Sequence, residues 1–161
     1  TDGTRAYVTL FESLYDAIKT ADAPTAIMVF YPPAHSPYLF DEDGRRTKGD
    51  KLDLRNYLGT HRFAAKMLVQ MVRMIIENDP DAVIVLQADH GLHLEKYQTL
   101  KNAFGEDAVL PLWNQVLSAI RVPEQYKDKD LQRTMDTPLN ISRYLMNRFV
   151  GENYEYLAPQ S

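Results

Sequence analysis

Asp89 and His90 carry the clearest chemical signal in this sequence. They stand side by side where an apolar, partly β-branched run, 83–86, stops before a glycine. A carboxylate oxygen and an imidazole nitrogen are ligands that suit a transition metal such as zinc or manganese. The simpler interpretation is that Asp89 caps the next helix and His90 merely packs, because loops after strands often carry a capping Asp. The sequence Asp89-His90-Gly91 alone leaves both interpretations open.

The apolar run, with a proline before it and a glycine after it, predicts a strand buried on both faces. A second apolar run, 26–31, ends in two consecutive prolines, which must take the chain out of a sheet. In open α/β sheets, ligands bind beyond the carboxyl ends of the strands. If these two strands are parallel and joined by a crossover helix, His35 is brought towards Asp89 and His90.

The other histidines carry weaker signals. A lone histidine in a proline-rich loop, such as His35, is more often a surface residue than a ligand. His93 follows the Asp-His pair closely in sequence and is a weaker candidate for a third metal ligand. His61 falls on the apolar stripe of the longest predicted helix, and we interpret it as a hydrogen-bonded core histidine.

Apolar residues at helical spacing, together with glycine and proline breaks, define the remaining elements. Helices are predicted at about 5–19, 54–77, 95–104 and 138–150, and strands at about 26–31, 83–88 and 116–121. We expect an α/β protein, a three-layer α/β/α arrangement around a mainly parallel sheet. Residues 1–161 are expected to form a single domain.

Composition limits the classes of function. The 161 residues are 45% hydrophobic and 25% charged, which fits one globular domain with a core. A net charge of -4 argues against a nucleic-acid partner, and the lack of cysteine excludes disulfides and thiolate metal sites. No apolar stretch approaches the roughly 18 residues needed to span a bilayer, so we expect this chain to be soluble. Because it begins at Thr1, without a methionine, we expect it to be a piece of a longer protein.

Three stretches together resemble a known family. They are 30–44 (FYPPAHSPYLFDEDG), 84–91 (IVLQADHG) and 137–151 (TPLNISRYLMNRFVG), the last preceded by SAIRVPE. With them, the chain resembles the C-terminal part of a sulfatase-like catalytic domain of the alkaline phosphatase superfamily. It is most similar to the bacterial membrane-anchored proteins related to lipoteichoic acid synthases.

The resemblance implies roles for three residues. Asp89 and His90 would be metal ligands, with manganese, zinc, magnesium or calcium as the metal. His35 would contact a phosphate or sulfate oxygen of an anionic ester substrate. The parent protein would be a metal-dependent hydrolase or transferase on the extracytoplasmic face of a bacterial membrane. It would act on phosphate or sulfate esters, by phosphoglycerol- or phosphoethanolamine-type headgroup transfer or by hydrolysis, and only N-terminal segments of the parent would touch the membrane.

The departures from the family pattern are equally informative. The family's nucleophile, a Thr, Ser or modified Cys, and a further acidic ligand lie in the N-terminal half of the domain. The sequence contains no Cys-x-Pro-x-Arg or Ser-x-Pro-x-Arg motif. Two protein ligands are fewer than the three usual in a catalytic metal site. We therefore predict that this chain alone has no catalytic residue of its own and is inactive, and that an uncovered sheet favours self-association.

A different class of function stays open. The chain could be a binding or structural domain that keeps the fold without catalysis, since fold does not fix function. The sequence upstream would separate the two, because an acidic residue after a strand and a Thr or Ser at a helix start would indicate the enzyme. A doubly wound nucleotide-binding domain is disfavoured, because no glycine-rich phosphate loop follows any predicted strand.

Overall fold

The structure is a computed structural model that describes residues 3–32, 34–48, 53–91, 94–107, 109 and 116–159. The chain divides into two compact units, Thr1–Pro80 and Asp81–Ser161. Helices dominate both, and the elements of each unit follow in chain order.

Two long helices form the first unit. Helix α1 spans Gly3–Thr20 and helix α2 spans Leu54–Asn78, close to the predicted 5–19 and 54–77. Asp53 begins α2 as its N-cap, since its Oδ1 accepts a hydrogen bond from the Arg55 backbone N–H at 2.8 Å. Their apolar stripes meet in a core centred on Leu14, Met71 and Met74.

A loop between the two helices is held against α2. The buried Thr60 hydroxyl accepts a hydrogen bond from the Phe40 N–H (3.1 Å) and donates one to the Phe40 C=O (2.7 Å). Phe40 also pairs with Arg46 in an isolated antiparallel bridge. Gly44 closes the turn between them at φ 80°, a conformation that favours glycine.

The second unit contains the only sheet among the residues that the structure describes. Strand β1 spans Ile84–Gln87 and strand β2 spans Ser118–Arg121, and the two pair antiparallel with Ile84 opposite Arg121 and Gln87 opposite Ser118. Helix α3, Leu94–Phe104, lies between them in sequence and ends at Gly105. Two short 3-10 helices follow, at Glu124–Tyr126 and Leu131–Met135.

The last helix packs at the centre of this unit. Helix α4 spans Leu139–Leu145 and continues as one π-helical turn, Met146–Val150, so the predicted 138–150 helix is present with a changed hydrogen-bond pattern. Tyr144 and Ile141 are buried on its inner face. Beyond the π turn, the chain returns along the helix. The side-chain amide of Asn140 in α4 holds the backbone of Leu157, and that of Asn147 in the π turn holds the backbone of Tyr154.

The predicted fold class is wrong. We expected a mainly parallel three-layer α/β/α sheet with strands at 26–31, 83–88 and 116–121. The described part of the chain has two antiparallel strands at the second and third positions and no strand at the first. An apolar run predicts burial but not strand direction. Only Ile84 of the four β1 residues is buried, so β1 is not the strand covered on both faces that a parallel sheet requires.

Candidate functional site

Asp89 and His90 lie just beyond the carboxyl end of β1. The ladder extends one residue past the strand, where the Ala88 N–H donates to the Leu117 carbonyl at 2.8 Å. The two side chains that follow are accessible, with Asp89 89% exposed and His90 58% exposed. The paired strands thus present a carboxylate and an imidazole to solvent from a fixed backbone position.

The two side chains converge. His90 Nε2 lies 3.7 Å from Asp89 Oδ2, while the other carboxylate oxygen, Oδ1, accepts a hydrogen bond from the His90 backbone N–H at 3.0 Å. This second contact holds the carboxylate beside the imidazole. A cation could therefore meet both groups without a change in the backbone.

The contact made by Nδ1 of His90 fixes the tautomer of the neutral ring. His90 Nδ1 lies 2.9 Å from the Gly91 carbonyl oxygen, which can only accept a hydrogen bond. Nδ1 therefore carries the hydrogen, and in the neutral ring Nε2 keeps its lone pair on the side of Asp89. A backbone carbonyl that orients an imidazole in this way is the usual outer partner of a metal-binding histidine.

The structure argues against the simpler interpretation of the pair. Helix α3 begins at Leu94, so Asp89 precedes the helix by several residues and does not occupy its N-cap position. His90 is more than half exposed and so is not a packed core residue. Capping and packing therefore do not account for these two side chains.

The donor set fits a metal ion only in part. In a tetrahedral site with bonds of ~2.1 Å, two ligand atoms lie about 3.4 Å apart, close to the separation of His90 Nε2 and Asp89 Oδ2. Within the described ranges, however, no group of three or more His, Asp or Glu side chains could hold a metal ion. His93, the weaker third candidate, lies outside the described residues. As metal ligands, Asp89 and His90 would be two of the three protein ligands that a catalytic site normally has.

His35 lies in the first unit, in the loop after the extended segment 26–31. Its side chain is exposed, and its Nδ1 lies 2.6 Å from the Ser36 carbonyl oxygen, so Nε2 is the nitrogen left for a ligand. The argument that parallel strands bring His35 to Asp89 and His90 is lost, because segment 26–31 is not a strand of the described sheet. The assignment of His35 now depends on the family resemblance alone.

His61 has an environment that the sequence did not predict. Its ring contacts Tyr57, with centroids 4.3 Å apart and planes tilted by 46°, and lies 6.2 Å from the Tyr38 ring. The residue is exposed in part, yet its neighbours displace enough water to lower the pKa of His61 below its usual value. We expected a hydrogen-bonded core histidine, whereas the structure gives an aromatic cluster on the surface of α2.

No helix in the described part of the chain is both long and apolar enough to cross a membrane. No family model, curated protein or solved structure matches the chain. The family resemblance consequently depends on the sequence stretches 30–44, 84–91 and 137–151, and the site on its own geometry.

Proposed function

We propose that this chain is part of the catalytic domain of a metal-dependent hydrolase or transferase that acts on phosphate or sulfate esters. The observation that carries the proposal is the convergence of Asp89 Oδ2 and His90 Nε2, 3.7 Å apart and exposed at the end of β1. The pair directly follows β1, whose antiparallel partner β2 fixes the backbone up to Ala88. In this proposal, Asp89 and His90 are metal ligands.

The bound divalent ion would polarise a phosphoryl or sulfuryl oxygen and lower the pKa of a hydroxyl nucleophile. The carboxylate of Asp89 supplies the negative charge that a divalent cation needs, and the Gly91 carbonyl keeps the His90 ring in the metal-binding tautomer. On the family resemblance alone, His35 would contact a phosphate or sulfate oxygen of the substrate. We favour phosphoryl over sulfuryl esters, on the likeness to the lipoteichoic-acid-synthase-related group.

The nucleophile belongs to the upstream part of the parent protein in this proposal. In a transferase it would be loaded with a headgroup, which an acceptor hydroxyl then attacks. The parent would be membrane-anchored and extracytoplasmic. The 161 residues alone should therefore bind metal weakly and show no turnover.

Metal binding tests the proposal directly. Titration calorimetry with manganese and with zinc should detect binding to the chain, and Asp89→Ala should weaken it at least about tenfold. Asp107→Ala is the matched control, because it removes another exposed carboxylate of the second unit and should leave the affinity unchanged. Equal affinities of wild type and Asp89→Ala would show that Asp89 is not a ligand. If the wild-type chain binds neither metal, either the upstream ligands are indispensable or the chain is the alternative, a binding or structural domain without catalysis, and the same titration on a longer chain separates the two.

A further inference from the structure

Segment 26–31 is an apolar stretch of the first unit that lies outside the described helices and strands. The chain runs without a turn or bend from Pro24 to Pro32, and the side chains of 28–31 alternate between exposed and partly buried, whereas Ile27 is 44% exposed. Val29 and Tyr31 pack against the core between α1 and α2. Met28 and Phe30 point the other way and are 93% and 80% exposed. This period of two is the pattern of a β-strand with one face buried.

The backbone of this segment is unpaired within the described structure. No described residue forms a hydrogen bond with a backbone N–H or C=O between Ala26 and Tyr31. The contacts that fix the segment come from side chains, such as the Tyr31 hydroxyl, which donates to the Ala64 carbonyl at 3.3 Å. A straight row of unsatisfied donors and acceptors is a template for another strand.

The segment lacks the usual protection of an edge strand. Natural edges carry charged side chains or a proline within the strand, yet 25–31 contains no charged residue and no proline. An antiparallel copy centred on Val29 would place Met28 opposite Phe30, and Phe30 opposite Met28, on the exposed face. No like charges would meet in this register, so the strand is complementary to itself.

We propose that this edge is a homodimer interface, in which segment 26–31 pairs antiparallel with the same segment of a second copy of this chain. Met28 and Phe30 each expose on the order of 150–200 Å², and their contacts across the pair would cover only part of it, so the interface would stay below roughly 1,200 Å². That area corresponds to a weak, reversible dimer. The inference is independent of the proposed metal site.

The test is the oligomeric state of the chain as it stands. Sedimentation velocity across a micromolar to near-millimolar range should show a monomer–dimer equilibrium. Met28→Lys should raise the dissociation constant about tenfold, since each dimer loses two cross-strand contacts between Met28 and Phe30, each worth up to about 1 kcal/mol. Met135→Lys is the matched control, because Met135 is 79% exposed in the second unit and its replacement should leave the dimer intact.

Hydrogen exchange gives a second readout that does not depend on a substitution. Backbone amides within 26–31 should gain protection at concentrations where the dimer forms and lose it on dilution. A chain that stays monomeric throughout the range overturns the proposal. So does a dimer or larger assembly that Met28→Lys does not weaken, because its contacts would then lie elsewhere.

Discussion

Replacing Asn140 with alanine should destabilise the second unit by about 3 kcal/mol. The Asn140 side chain is fully buried and makes three hydrogen bonds with the backbone. Its Nδ2 donates to the carbonyls of Arg133 and Leu157, both at 2.9 Å, and its Oδ1 accepts from the Leu157 N–H at 2.9 Å. Each bond contributes roughly 1 kcal/mol. Alanine would leave the Leu157 N–H and C=O without this partner, while the Arg133 carbonyl would keep only the Asp136 N–H, at 3.2 Å. The loss is a large share of the roughly 5–15 kcal/mol by which a folded domain is typically stable.

Asn147 provides the comparison. It holds the same returning segment through Tyr154, donating to its carbonyl at 2.9 Å and accepting from its N–H at 2.6 Å. These bonds lie at the surface, so water would replace them in Asn147→Ala, and the cost in unfolding free energy should be about 1 kcal/mol or less.

Asn140→Asp is the third variant. It keeps the shape but turns both donated bonds into oxygen–oxygen contacts, so it should be at least as damaging as alanine near neutral pH.

Urea unfolding followed by circular dichroism measures these free energies. The expected order of stability is wild type, then Asn147→Ala, then Asn140→Ala, with Asn140→Asp no more stable than the last. A cost below about 1 kcal/mol for Asn140→Ala would refute the reasoning, because three buried bonds cannot then be holding the returning segment. Equal costs at Asn140 and Asn147 would refute the role assigned to burial.

Two further perturbations test the first unit. Partial desolvation by its neighbours lowers the pKa of His61, so below about pH 6.5 the unfolded chain takes up a proton that the folded chain does not. Stability should therefore fall as the pH drops through this range and level off below the folded pKa. Unfolding free energies at about pH 7.5 and about pH 5.5 should show a smaller loss in His61→Phe than in wild type, and an unchanged loss would contradict this assignment. Gly44→Ala should lower the melting temperature more than Gly105→Ala. Both glycines have positive φ (80° and 87°), but a Cβ on Gly44 would lie 2.5 Å from the Phe63 ring, whereas one on Gly105 meets nothing. Similar melting temperatures for the two variants would show that Phe63 yields to the added methyl group.

The helices were predictable because their signals are local. Apolar spacing and flanking breaks placed α2 at 54–77, against the observed Leu54–Asn78, and α3 at 95–104, against Leu94–Phe104. A helix satisfies its backbone within its own segment, so a sequence window contains most of the information needed. The π turn at Met146–Val150 was not predicted, since it changes the hydrogen-bond partners and not the apolar stripe.

The strands were predictable in place but not in pairing. The runs at 83–88 and 116–121 contain β1 and β2, yet their antiparallel register depends on how the chain returns after α3. The run at 26–31 has the same apolar composition and pairs with no described residue. A strand's hydrogen bonds go to residues distant in sequence, so composition cannot say which run finds a partner.

The sequence by itself determined the helices, the apolar runs and the adjacency of Asp89 and His90, because each depends on neighbouring residues. Only the tertiary structure decided the strand direction, the exposure of Met28 and Phe30, and the burial of Asn140 against a segment 17 residues away. It also decided that Asp89 stands free of the helix that it could have capped. These features depend on contacts between distant parts of the chain, which local propensity does not encode.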